Sequence, residues 1–126
     1  MKIDRFDAPR TFTVGAAGDV TISHCADVAL EPDEQVTFVT PSGTEFDVAR
    51  KAWGYYATPS MNGRLHDHGL RAALVRNAER RVYLMLVEDG QEDGFREYLE
   101  AEAQTLVCWL DTDEAVEDAL RRLEGK

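Results

Sequence analysis

Recognition chemistry is concentrated in one stretch of the chain, Arg50 to Arg64, which reads RKAWGYYATPSMNGR. Trp53, Tyr55 and Tyr56 fall between Arg50 and Lys51 on one side and Arg64 on the other. Aromatic planes stack on a sugar ring or a base, and fixed polar groups beside them set its orientation. Ser60 and Asn62 supply such groups. Arg50 and Arg64 can each grip a phosphate or carboxylate through paired N–H bonds. The candidate ligand-binding set is therefore Arg50, Trp53, Tyr55, Tyr56, Ser60, Asn62 and Arg64, and the ligand it suits is small and anionic or sugar-like. If the preceding strand continues, alternation sends Trp53 and Tyr55 to one face and Tyr56 to the other. The competing reading buries the rings in the core, lets the Arg heads snorkel, and leaves Thr58 to Asn62 as caps and turns.

The remaining reactive side chains form weaker patterns. His66 and His68 make an HxH, and His24 adjoins Cys25. In a strand, HxH puts both rings on one face; on a helix, residues two apart diverge by about 200°. His24, Cys25, His66 and His68 would make a zinc or iron site only if the fold joined them. No CxxC occurs, and no metal or cofactor is expected. His24 and Cys25 are no dyad, because neighbours in a strand point to opposite faces. Asp47 with Arg50 has the types for acid/base work, but a surface ion pair is the simpler use. There is no GxSxG elbow, and GAAGD at Gly15 lacks the spacing of a phosphate loop. The expectation is a non-catalytic binding or accessory module. The alternatives are a structural homodimer with the aromatics at its interface, and a small enzyme on a sugar or nucleotide-sugar derivative. That enzyme would take its acid/base group from Asp47, His66 or His68.

A chain of 126 residues suits one domain, 1–126, with a single core. Its net charge of −10 argues against nucleic acid as a partner. The charge is uneven: residues 50–81 carry seven bases and two acids, whereas residues 88–126 carry thirteen acids and four bases. The middle of the chain can thus offer a local anion site beside acidic C-terminal helices. No apolar run reaches the roughly 20 residues of a membrane span, and MKIDRFDAPR lacks a signal-peptide core. A cytoplasmic protein with no membrane association is expected, with Cys25 and Cys108 as buried free thiols.

The elements that would position the candidate set follow from periodicity. Residues 1–10 read as an extended lead-in and Thr11–Val14 as a short strand, followed by short β patterns at Val20–Ser23 and Ala26–Leu30. Gln35–Thr40 and Glu45–Arg50 form the clearest hairpin, turned by Pro41-Ser42-Gly43-Thr44. Each strand has an apolar face to bury and a more polar one. Thr58-Pro59 reads as the start of a weak helix ending near His68 at Gly69, with a turn or 3₁₀ segment as the other possibility. Leu70–Arg76 is a strand. Val82–Val87 (VYLMLV) is apolar throughout, as a central strand should be. Glu92–Ala103 is an amphipathic helix, Thr105–Leu110 a strand, and a last helix starts after a cap at Asp111 or Asp113. The fold class expected is α+β: a mixed, mostly antiparallel sheet with a C-terminal β-α-β-α unit, its two helices packed on one side. Strand, helix and strand over residues 82–110 suit a parallel crossover. Covering the sheet's second face would fall to the N-terminal meander or to a second subunit.

The run DEQVTFVTPSGTEFDVARKAWGYYATPSMNGRL, with RAALVRN, VYLMLVEDG and VCWLD after it, resembles a group of small, functionally uncharacterised bacterial proteins. The resemblance spans roughly residues 30–112, and such proteins are associated with genes for cell-surface sugars. It implies a bacterial cytoplasmic protein and a carbohydrate or nucleotide-sugar theme. It brings no catalytic residues.

Overall fold

A computed structural model describes residues 1–125 of the chain. Among the described residues eight strands form three antiparallel sheets, and three helices accompany them, so the class is α+β.

The first sheet is a two-stranded ribbon, β1 (Lys2–Val14) against β2 (Val20–Ala29). The expected lead-in and short strands are in fact two long ones. Pro9 hid this. Proline donates nothing to a ladder and is confined to edges and bulges, and here it falls in the irregular stretch between Arg5 and Arg10, where the register shifts. Register places Ile3 opposite Val28, Phe12 opposite Ile22 and Val14 opposite Val20. These six share one ribbon face with Arg5, Arg10, His24 and Ala26, while the other carries Thr11, Thr13, Thr21 and Ser23. Cys25 is exposed, not buried as its neighbourhood suggested. A lone two-stranded ribbon is marginal in water, and this one is tied at both ends. At its base the N-terminal ammonium lies 3.0 Å from Glu34, and the Leu30 carbonyl accepts from Arg50 Nη1 at 2.6 Å. At its tip the Ala16 N–H donates to the Glu102 carboxylate.

The second sheet runs β3-β4-β5, from β3 (Gln35–Val39), β4 (Glu45–Lys51) and β5 (Gly54–Ala57). The expected β3–β4 hairpin is present, with Val36 opposite Val48 and Phe38 opposite Phe46, and Gly43 takes the left-handed conformation at φ 91°. A second hairpin was not foreseen: the chain reverses at Ala52-Trp53 and pairs Lys51 with Gly54. The helix expected from Thr58 shrinks to one turn, α1 (Arg64–Asp67). Such a turn has almost no helical stability of its own, and Leu65, which is buried in the core, holds it in place.

The third sheet has the order β7-β6-β8, from β6 (Leu70–Arg76), β7 (Val82–Glu88) and β8 (Thr105–Trp109). β7 and β8, joined through α2, run parallel as a crossover requires, but they are not neighbours. β6 lies between β7 and β8 and pairs antiparallel with both. The apolar run of β7 is thus an edge, with Val82, Tyr83 and Leu84 exposed, while Ala72, Ala73 and Val75 of β6 are fully buried. The short turn between β6 and β7 joins these two first, and β8 takes the free edge of β6.

The helices α2 (Glu92–Ala101) and α3 (Asp113–Leu123) cover opposite faces rather than one side. On β8, Cys108 lies opposite Leu74 and Trp109 opposite Ala73, so their side chains leave by different faces. Phe95 of α2 packs on the Trp109 ring with centroids 5.7 Å apart. Ala119 of α3 packs instead on the core of Leu65, Leu70, Ala72 and Leu110, with Phe46, Leu74, Leu86 and Cys108 around it. The cap of α3 is Thr112, whose Oγ1 accepts from Ala115 N. Asp111, expected as a cap, is buried and accepts from Arg71 Nε at 2.6 Å. No described helix is long and apolar enough to cross a membrane.

Candidate functional site

The β4–β5 hairpin brings the aromatic residues to the surface. Trp53 is 72% exposed, Tyr55 62% and Tyr56 46%. Register puts Tyr55 opposite Arg50 and Tyr56 opposite Ala49, so the two tyrosines leave by different faces. Trp53 sits in the reversal and not in a continued strand. Its ring stacks on Tyr56, with centroids 6.2 Å apart and planes inclined by 28°. This corrects the pairing expected from alternation: the indole joins Tyr56, not Tyr55. Gly54, at φ 149°, permits the reversal.

The cations of the stretch are engaged within the protein. Arg50 Nη1 donates to the Leu30 carbonyl at 2.6 Å and its Nε to the Lys51 carbonyl at 3.1 Å. Arg64 Nη1 donates to Asp47 Oδ2 at 2.7 Å and its Nη2 to Thr58 Oγ1 at 3.0 Å. Lys51 Nζ lies against Asp33, whose carboxylate raises the lysine above its ordinary pKa. Asp47 pairs with Arg64, therefore, and not with Arg50. Only 5% exposed, Asp47 is held below the usual carboxylate range by the Thr37 hydroxyl first and the Arg64 guanidinium second. Its strand face reads as polar, yet is covered here.

Ser60 and Asn62 shape the chain. Ser60 Oγ accepts from Arg64 N at 3.2 Å, at the start of α1. A Cβ on Gly63 would sit 2.4 Å from that same oxygen, so any other residue there would displace the Ser60 hydroxyl. Asn62 Nδ2 donates to Asp113 Oδ1 at 3.0 Å and ties the stretch to the start of α3. Of the seven candidate residues, Trp53, Tyr55 and Tyr56 present free surface. Arg50, Ser60, Asn62 and Arg64 support the loop that holds them.

The histidines do not converge. His24 Nε2 lies 3.0 Å from Asp27, and its Nδ1 accepts from Arg10 on the ribbon at 2.9 Å. His68 Nδ1 lies 3.2 Å from Glu45 Oε2, and His66 is exposed. Among the described residues no three His, Cys, Asp or Glu side chains are placed to share a metal ion.

Two further features had no sequence signal. Thr40 and Ser42 hydroxyls donate to Glu88 Oε1 at 2.6 and 2.5 Å, with Thr44 Oγ1 at 3.3 Å, which pins the β3–β4 turn to the end of β7. These hydroxyls, Ser42 foremost, hold Glu88 below the usual carboxylate range. The second feature is a cavity of about 590 Å³ between the ribbon tip, the β6–β7 turn and the end of α2. Nothing in the spacing of its residues along the chain announces either.

No family model matches the chain, and neither the curated proteins nor the solved structures give a significant match.

Proposed function

We propose that the chain is a non-catalytic binding module that holds a sugar-like ring against the Trp53–Tyr56 stack. The observation that carries this reading is the stack itself: two rings inclined by 28°, both exposed, on a hairpin whose base is tied by Arg50 and Arg64. Saccharide rings present apolar C–H faces, and an open aromatic plate suits them. Because both guanidiniums already have partners, recognition rests on stacking and not on an anion grip. That also weakens the enzyme alternative, since Arg50 is not free to hold a substrate anion beside its acid/base groups. The resemblance of residues 30–112 to proteins associated with cell-surface sugar genes points to the same ligand class.

Titration with sugar phosphates, nucleotide sugars and neutral oligosaccharides, read by thermal shift, tests the proposal. At least one class should raise the melting temperature of the wild type, since a ligand of the native state stabilises it. Trp53→Ala should abolish the shift without lowering the unliganded melting temperature. No shift with any class, or an equal shift in Trp53→Ala, overturns it.

A second reading, a homodimer, is favoured by the ribbon. Ile3, Phe12, Ile22 and Val28 share one of its faces as two apolar pairs, with Arg5, Arg10 and His24 between them, and all four are exposed. A second copy would cover that face. Sedimentation at micromolar concentration should then give a dimer that Phe12→Thr/Ile22→Thr converts to a monomer. A monomeric wild type removes this reading and leaves the stack untouched.

A further inference from the structure

The cavity between ribbon tip and α2 belongs neither to the aromatic hairpin nor to the core. Its walls include Glu102, Gln104, Tyr83, Tyr98 and Met85. Glu102 is the unusual member. A glutamate is almost never fully buried unless paired, yet this one is 7% exposed. The Ala16 N–H is the single hydrogen-bond donor it meets among the described residues. Gln104, two positions on, has its Oε1 shut from solvent with no donor. Glu79 adds a second carboxylate, and no Lys, Arg or His lines the space among the described residues. The walls therefore hold two carboxylates and an unpaired amide oxygen with no cationic side chain, beside two phenol rings and a thioether.

We propose that this cavity binds a compact organic cation: a primary ammonium or guanidinium at Glu102, with its apolar body against Tyr83, Tyr98 and Met85. A volume of about 590 Å³ lies within the range of small-molecule sites. The N–H groups of such a ligand supply what Glu102 and Gln104 lack. A terminal amide torsion is broad, so Gln104 can turn its oxygen toward the ligand. Tyrosine faces attract cations, and methionine adapts to irregular apolar shapes. A bare divalent ion fits less well, because hard cations need six or more oxygens. The ribbon is part of the site: Glu102 receives the Ala16 N–H, so an occupant also steadies the tip.

The test is titration with 2-phenylethylammonium, agmatine and putrescine, with 2-phenylethanol as the neutral control, by calorimetry and amide NMR at physiological ionic strength. At least one cation should bind saturably and the alcohol should not. The shifted amides should cluster at Ala16, Tyr83, Tyr98 and Gln104. Glu102→Gln keeps the size of the side chain and an acceptor for Ala16 but removes the charge, and it should weaken binding about tenfold or more. Glu97→Gln, exposed on α2, should leave binding unchanged. Absence of saturable binding, or equal weakening by both variants, overturns the proposal. Should Glu102→Gln loosen the ribbon, the wild-type shift map decides, and shifts scattered away from the cavity count against the site.

Discussion

Asp47 shows how far a residue's role depends on what the fold lays over it. On its strand it looks like a solvated acid, but Thr37 and Arg64 close on it from two directions. Asp47→Asn should cost about 1–2 kcal/mol in chemical denaturation, because Arg64 loses its carboxylate and is itself half exposed. An unchanged midpoint would remove Asp47 from the support of the hairpin. Asp47 and Glu88 are both held below the usual carboxylate range, and the Glu31 N–H and the N-terminal ammonium hold Glu34 there too. A depressed folded pKa means that the unfolded chain takes up protons first as pH falls. The stability from these groups should be fully present above about pH 5 and lost as pH falls below about 4, through their folded pKa values. An acid limb that Asp47→Asn leaves unchanged would show that Asp47 plays no part in it. At this scale the sequence was half legible. The aromatic types of Trp53, Tyr55 and Tyr56 could be read, but the partners of Arg50 and Arg64 could not. Those partners, a backbone carbonyl at Leu30 and an acid at Asp47, are distant in sequence and neighbours only through sheet pairing.

Among the elements, the ribbon is the most exposed and its ends do most to hold it. Gly15 is needed at the tip for two reasons. Its φ of 99° is one that side chains rarely adopt, and a Cβ there would lie 2.8 Å from both Glu102 oxygens. Gly15→Ala should release the tip. Hydrogen exchange should then quicken from Val14 to Val20 while β6 keeps its protection, since the fully buried Ala72, Ala73 and Val75 do not depend on the ribbon. Uniform loss of protection would mean that the ribbon is integral to the core. Legibility differed by element for physical reasons. The β3–β4 hairpin carries its own signals, period-two alternation around a Pro-Ser-Gly turn, and was read correctly. Strand order in the third sheet was not readable. Both β7 and β8 are apolar, and only the edge left free by the β6–β7 turn decides that β8 joins β6. An apolar run such as VYLMLV does not tell an edge from a centre: here Val82, Tyr83 and Leu84 are exposed at an edge, and within the run only Val87 is buried.

Taken whole, the molecule is three small sheets joined by polar pins: Thr40, Ser42 and Thr44 on Glu88, Arg64 on Asp47, Ala16 on Glu102. Large apolar side chains are left on its surface, at the ribbon, at β7 and at the aromatic hairpin. Phe38 on β3 is exposed too and stacks on the half-buried Phe46, but Trp53 and Tyr56 are the one stack among the described residues with both rings exposed. The two tryptophans of the chain make this directly testable. Trp53 stands in the open, whereas Trp109 lies between Phe95 and the Arg71 guanidinium, whose carbon sits 3.9 Å from the ring centre. In an ¹⁵N-labelled sample titrated with the saccharide that raises the melting temperature most, the two indole N–H signals report separately. Movement of the Trp53 signal with that of Trp109 unchanged is the predicted result. A stationary Trp53 signal at saturating ligand would contradict the account.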